Sequence, residues 1–322
     1  MKYYYNKLDD KLKSICDKIV KQLKNYNNII MIHKNISAPE ISKVMDVIDM
    51  DFPEIFFIDI KFNSYQIIDF GFVKKIKILF LYDIQQIRNI ECKVNLIAEN
   101  ICSSLFFSKP VKQKERIIHD FLVEKVKYNY NSINIENHTI VGALLKNSAV
   151  CEGYSKAFKF LCEKAGIDCL VVFGKANNQF NSMESHSWNM VHLNSNNYAH
   201  VDVTWNGLDK EFINLPIHYN LSDEMLGQDH VWDKYLVPSC SKDMSEIVHI
   251  KSAKELSKYF EECLKNNIYC FQFYVNHIFA TTKELCSLIE KILSSISIFN
   301  DIHYIVKYNK FNGIVNIKIE KY

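Results

Sequence analysis

VCEGYSKAFKFLCEKAGI, residues 150–167, decides how the chain is read. From Cys151 onward, Tyr154, Ala157, Phe158, Leu161, Cys162 and Ala165 recur at helical spacing and form one apolar stripe. Gly166 follows as the expected stop, because glycine tolerates the left-handed backbone found after a helix. Cys162 falls on the stripe and reads as packing, as does Cys169 in the next strand-like run. Cys151 falls in the first turn instead. There the free N–H groups and the helix dipole favour an anion, so a thiolate is stabilised. Ala149 and Gly153 leave room for a carbonyl to approach, and the Cys151 amide is placed to meet a developing oxyanion. Position alone does not make a nucleophile. A base and a group to orient it must come from elsewhere.

Two strand-like runs supply them. HSWNMVHL (186–193) and YAHVDVTW (198–205) flank the turn NSNN, which is a hairpin pattern. Pairing across that turn brings His186 near Asp202 or Thr204. Alternation puts Asp202 on one face with His200 and Thr204. A carboxylate between Val201 and Val203 is costly unless paired, and the His186 imidazole is the natural partner. His200 shares the Asp202 face and is the rival base. His192 points away, and His119 and His230 sit in polar helical or loop contexts and read as structural.

Composition narrows the remaining classes. The 322 residues are 48% hydrophobic and 24% charged, ordinary for a globular chain of two or three domains. With 39 basic and 37 acidic residues the net charge is +2, so electrostatics give no case for nucleic acid as a partner. No run of about 18 apolar residues suggests a membrane span, and the N-terminus lacks a signal-peptide core. The ten cysteines show no C-x-x-C pair, so neither a zinc site nor a disulfide framework is expected. Glycine-rich phosphate loops, G-x-S-x-G and H-E-x-x-H are absent from the sequence, and no cofactor or metal is expected. The expected location is cytoplasmic.

The pattern divides the chain in three. Residues 1–108 read as an α+β unit: a helix over 7–25, a strand at 28–35, a helix over 38–48, strands at 54–62 and 75–83, and a helix over 84–105. Residues 109–240 open with a helix at KERIIHDFLVEKV and hold the special residues. Residues 241–322 return to a small α+β pattern of helix, strand, helix and two strands. Residues 28–83 and 268–322 share an order of strand, helix, strand and strand, read either as an internal repeat or as coincidence.

Three blocks, VCEGYSKAFKFLCEKAGI (150–167), HSWNMV (186–191) and HVDVTW (200–205), resemble the transglutaminase-like superfamily of papain-type cysteine enzymes. They match its C-x-G-Y, H-x-W-N and D-x-T-W pattern in order. IIHDFLVEKVKYN (117–129) and NLSDEMLGQDHVWDKY (220–235) resemble the flanking segments, so the likeness covers about 109–240. It implies an α+β fold in which the nucleophile helix packs on an antiparallel sheet, flanked by smaller α+β domains. It implies a triad of Cys151 as nucleophile, His186 as base then acid, and Asp202 as orienter. The implied reaction is attack on an amide of a protein or peptide through a thioester, followed by hydrolysis or transamidation. The serine of HSWN replaces a common alanine and is expected to be harmless. Tyr128, in VKYN, is a candidate for the oxyanion hole or a structural tyrosine. Trp188 and Trp205 either frame the cleft or pack behind the triad, and the polar loop KANNQFNSMES (175–185) is the expected cleft edge. The alternative left open is a binding or scaffolding protein that keeps the fold with a relict triad.

Overall fold

A computed structural model describes residues 2–58, 65–67, 73–102, 108–131, 133–177, 182–194, 197–208, 212, 214–245, 247–275, 281–295 and 303–320. Leu12, Ile15, Ile19 and Leu23 bury one side of the helix Asp10–Lys24, which Asp9 caps by accepting from the Leu12 N–H at 2.8 Å. A capping box between Ser37 and Glu40 starts the next helix, Ala38–Asp51. Strands β1 (Ile29–Met31), β2 (Tyr65–Ile67) and β3 (Val73–Lys77) form an antiparallel sheet in the order β1-β3-β2. The strand expected at 54–62 is not formed where it is described. Residues 53–57 lie mostly in turns and Ile58 makes a single bridge to Phe80, while 59–62 lie outside the described residues. Phe56 and Phe57 pack edge to face at 5.6 Å and are buried without a ladder. Short apolar runs look alike whether they are buried as strand or as turn.

The middle of the chain begins with the helix Val111–Lys125. Two short strands, β4 (Lys127–Tyr128) and β5 (Ser148–Ala149), then pair in parallel. The helix Cys151–Lys164 follows β5 directly. Strands β6 (Cys169–Asn177), β7 (Met183–Asn194), β8 (Asn197–Val201), β9 (Tyr219–Leu221) and β10 (His230–Trp232) form an antiparallel sheet ordered β10-β6-β7-β8-β9. The Cys151 helix packs on β6 and β7 of this sheet. Gly166 adopts φ +74° and ends the helix as its position implied, with the Ile167 N–H returning to the Cys162 carbonyl at 2.8 Å.

The last sheet contains β11 (Val248–Ile250), β12 (Cys270–Val275), β13 (His303–Tyr308) and β14 (Ile314–Glu320), in the order β11-β12-β14-β13. In β12-β14-β13, as in β1-β3-β2, the last strand in sequence lies antiparallel between the first two.

One buried apolar cluster runs from Tyr4 through Cys102 and on from Ile118 to Ile247, and a second gathers residues from Ile250 to Ile319. The Cys151 helix is buried on nearly every face, not along one stripe. Its lysines 156 and 159 point toward the helix Ala38–Asp51, where Lys156 pairs with Asp49, and Lys159 lies 3.7 Å from Asp51. Residues that read as a solvated face are therefore covered by the N-terminal segment.

Candidate active site

The sequence places Cys151 where a helix must begin. Val150 takes an extended conformation as N-cap, and its N–H donates to the Asn137 carbonyl at 3.0 Å. Glycine at 153 lets this first turn press against that same carbonyl. A Cβ there would lie 2.3 Å from the Asn137 oxygen and 2.9 Å from the Ala149 Cβ. The Ser155 hydroxyl donates to the Cys151 carbonyl at 2.8 Å and lies 3.2 Å from the Ser187 hydroxyl on β7. Asn189, two residues further on, donates to the Ser155 carbonyl at 2.9 Å. These contacts lock helix and sheet together beside the thiol.

His186 stands on β7 at the edge of the β7–β8 pairing, which begins at Asn189 opposite Val201. Its Nε2 lies 2.7 Å from Asp202 Oδ2, and the ring is close enough to the Cys151 thiol for each to shift the other's ionisation. Because Nε2 faces the carboxylate, Nδ1 is left for the sulfur. The structure thus brings Cys151, His186 and Asp202 into one chain. One local expectation changes: β8 ends at Val201, and Asp202 is the N-cap of a short helix, Val203–Gly207. Asp202 Oδ1 accepts from the Trp205 N–H at 3.1 Å, so the carboxylate caps the helix with one oxygen and holds His186 with the other. Alternation across 198–205 therefore breaks after Val201, and Thr204 belongs to the helix.

Charge follows this geometry. Burial alone would raise Cys151, but the hydrogen bond and charge of His186, with the Ser187 hydroxyl and amide, bring it below an ordinary thiol. At Cys16 burial prevails and lifts the thiol to about 12, and it also raises Cys102, Cys162, Cys240, Cys263 and Cys270. His186 loses basicity to burial, yet Asp202 and the Cys151 thiol raise it to about 10. Asp202 is fully buried, which favours its neutral form. The charge and hydrogen bond of His186, and then the hydrogen bond of His230, hold it well below the usual carboxylate range. The arrangement favours a thiolate facing an imidazolium.

Tyr128, on β4, is half-buried close enough to Cys151 to feel its charge. Burial, then Cys151, pushes the Tyr128 phenol up to about 12, so it stays a donor across the neutral range. Trp188 is only 1% exposed and lies behind the triad, not at a cleft. Its indole packs against His186 and His230 at 6.1 and 4.9 Å. Trp205 is half-buried and covers His186, His218 and His230 at 5.5, 4.9 and 4.7 Å. Of the loop 175–185, residues 178–181 lie outside the described residues.

The rival base is excluded by its bonds. Trp188 Nε1–H, which can only donate, points at His200 Nδ1 at 3.0 Å. His200 Nε2 must then carry the proton it gives to Asp223 Oδ1 at 2.9 Å. Burial lowers the His200 pKa, and both nitrogens are occupied away from the thiol. His119 is also structural. Its Nδ1 meets Asp120 at 2.8 Å and its Nε2 accepts from Asn206 at 3.0 Å, which steadies the helix that Asp202 caps.

His230 and Ser187 are the residues the sequence did not reveal. His230 is buried with Nε2 at 3.3 Å from Asp202 Oδ2, and Ser187, 3.2 Å from the Ser155 hydroxyl, helps lower the Cys151 thiol. The available signal for His230 was the adjacent pair Asp229–His230 before a strand, since a buried carboxylate needs a partner. Among the described residues, His186/Asp202/His230, His218/Asp229/His230 and His200/Asp223/Cys240 each bring metal-type donor atoms within 4.8 Å. In all three, each histidine already gives a ring nitrogen to a carboxylate.

With the geometry in place, residues 103–203 match the profile of the Transglutaminase-like superfamily. No curated protein matches the chain. Among solved structures, the chain is similar to a proposed cysteine protease from Cytophaga hutchinsonii, at 18% identity and TM-score 0.30, covering 35% of this chain and 37% of that one. It is similar to a TGase at 10% identity and TM-score 0.32, covering 55% and 50%. The periplasmic domain of TgpA from Pseudomonas aeruginosa is a third, at 17% identity and TM-score 0.29, covering 44% and 58%. The chain thus spans from about a third to three fifths of the length of these proteins. Among the described residues, no helix is long and apolar enough to cross a membrane.

Proposed function

We propose that this chain, which carries a transglutaminase-like core at 103–203, is a cysteine acyltransferase or amidase acting on amides of proteins or peptides. The observation that carries the reading is the 2.7 Å hydrogen bond from His186 to buried Asp202, beside a Cys151 thiol whose proton affinity His186 lowers. The thiolate attacks the amide carbonyl carbon, and the carbonyl electron pair moves onto oxygen. The Cys151 N–H, and the Tyr128 hydroxyl beside it, are the donors for that oxyanion. Collapse restores the carbonyl and breaks the C–N bond, while His186 gives its proton to the leaving amine. A thioester on Cys151 remains. His186, now neutral, takes a proton from water or a primary amine, which attacks the thioester and returns Cys151 as thiolate. Asp202 keeps the imidazole oriented and stabilises its charge throughout. No step needs a cofactor. Ten free cysteines fit a reducing compartment such as the cytoplasm.

The test is a turnover assay with a glutamine-containing protein, with and without a labelled primary amine. Ammonia release or amine incorporation that disappears in Cys151→Ala supports the reading, and the ratio of the two outcomes separates hydrolysis from transamidation. Turnover that persists in Cys151→Ala removes Cys151 from the mechanism.

A further inference from the structure

Behind the triad the hydrogen bonds do not stop. Asp202 Oδ2 faces His230 Nε2 at 3.3 Å as well as His186, and His230 Nδ1 meets Asp229 Oδ1 at 2.5 Å. Asp229 Oδ2 accepts from His218 Nε2 at 3.0 Å and from Asn309 Nδ2, on the turn between β13 and β14, at 3.3 Å. All of these groups but Asn309 are buried. Resting on the acyl-transfer reading above, we infer that His230 is a positioning residue of this site, held as a buried imidazolium that pins the same Asp202 oxygen that His186 uses.

The argument is one of donors and acceptors. An ionised carboxylate only accepts, and both nitrogens of His230 face carboxylate oxygens. Asp202 already accepts from the Trp205 amide and from His186, which leaves no oxygen suited to carry a proton. Both His230 nitrogens must then donate, and the ring is cationic. The groups facing it agree: Asp202 and Asp229 are anionic, while the rings of His186 and His218 each stand 5.6 Å away. His200, the next histidine, is held neutral by Trp188 and Asp223. The thiolate of Cys151 balances the charge of His186, which would leave Asp202 as a net buried anion without His230. Such a charge costs several kcal/mol unless it is compensated. His230 compensates it, and with three N–H donors on its two oxygens the Asp202 carboxylate cannot rotate away from His186. His218 and Asn309 in turn donate to Asp229 Oδ2 and fix its orientation, and Asn309 brings the turn between β13 and β14 to the site.

Two measurements test this. In the full wild-type chain, site-assigned ¹⁵N signals of His230 should report two protonated nitrogens at neutral pH, above the usual histidine midpoint near 6.5. One protonated and one bare nitrogen at neutral pH would overturn the inference. This measurement needs neither an active thiol nor a substitution at His230, so it decides the charge even if the acyl-transfer reading fails. The second compares the pH profile of Cys151 alkylation by iodoacetamide in wild type and His230→Gln. Glutamine keeps a donor for Asp202 but not the charge, and loss of a nearby cation raises proton affinities. The acid limb should therefore move up by about half a unit or more. An unchanged limb in a folded His230→Gln chain overturns the positioning role. A wild-type Cys151 with no activated limb overturns the acyl-transfer reading instead.

Discussion

Asp202 carries two duties on two oxygens: Oδ1 starts a helix and Oδ2 holds an imidazole. The substitution Asp202→Asn keeps the size of the side chain and can still accept from the Trp205 N–H. It removes the charge that favours the His186 imidazolium and admits the wrong tautomer. Turnover should fall about 10²- to 10⁴-fold with KM little changed, as steady-state kinetics would show. His200→Gln is the matching control, because His200 is tied to Trp188 and Asp223. The pH profile of Cys151 alkylation in that variant should superimpose on wild type. At this scale the sequence was informative where chemistry is local. A cysteine at a helix start and a histidine opening one strand could be set against Asp202 or Thr204 of the next by hairpin geometry, and the cost of burying a carboxylate between Val201 and Val203 pointed to Asp202. His230 lies 28 positions from Asp202 and comes alongside through β10, a contact that no periodicity encodes. Ser187 read as a neutral exchange for alanine, yet its hydroxyl meets Ser155 and favours the Cys151 thiolate.

The Cys151 helix shows what its first turn requires. Gly153→Ala would place a methyl group 2.3 Å from the Asn137 carbonyl, a backbone atom that cannot swing aside. The expected cost is about 1–3 kcal/mol in a urea titration, with slower Cys151 alkylation because the helix start must move. The helix Val111–Lys125 carries a different strain. Glu115 is fully buried, accepts from Asn220 at 3.1 Å, and is pushed by burial up to about 7. An acid whose folded pKa is raised binds its proton more tightly in the folded chain. Its ionisation therefore subtracts stability as pH rises from the unfolded value near 4.3 toward about 7. Glu115→Gln should be more stable than wild type by about 1–3 kcal/mol above neutral pH, with the gap closing in acid. An equal gap at pH 4 and pH 8 in paired denaturation curves would contradict the assignment. Element boundaries were less legible than element identities. The helices were readable from their apolar spacing, but the change from strand to helix at Asp202 depends on its carboxylate finding the Trp205 amide.

At the scale of the molecule, buried charge joins the N-terminal segment to the Cys151 helix. Lys159 is wholly buried and gives its protons to the Cys169 carbonyl at 2.8 Å and Glu163 at 3.0 Å, with Asp51 at 3.7 Å. Asp51 in turn accepts from the Tyr5 N–H at 2.8 Å, and Tyr4 donates to the Val171 carbonyl at 2.6 Å. Lys159→Met would leave Asp51 buried without its cation. The expected loss is about 3 kcal/mol, and adding Asp51→Asn should restore part of it. A change within about 0.5 kcal/mol, as an exposed substitution gives, would contradict this. The mixed α+β class and its antiparallel central sheet were readable from the sequence. The burial of Lys156 and Lys159 was not, because a lysine on a helix usually marks a solvated face and only the packing of residues 38–51 reverses it. The account as a whole rests on Cys151 differing from the other thiols. Its most direct test is the pH dependence of iodoacetamide labelling of the native chain, with each modified cysteine located by mass spectrometry. Cys151 should react faster than exposed Cys92 and through an ionisation clearly below the ordinary thiol value of about 8.5. Labelling of Cys151 no faster than Cys92, with a midpoint at or above that value, would contradict the account.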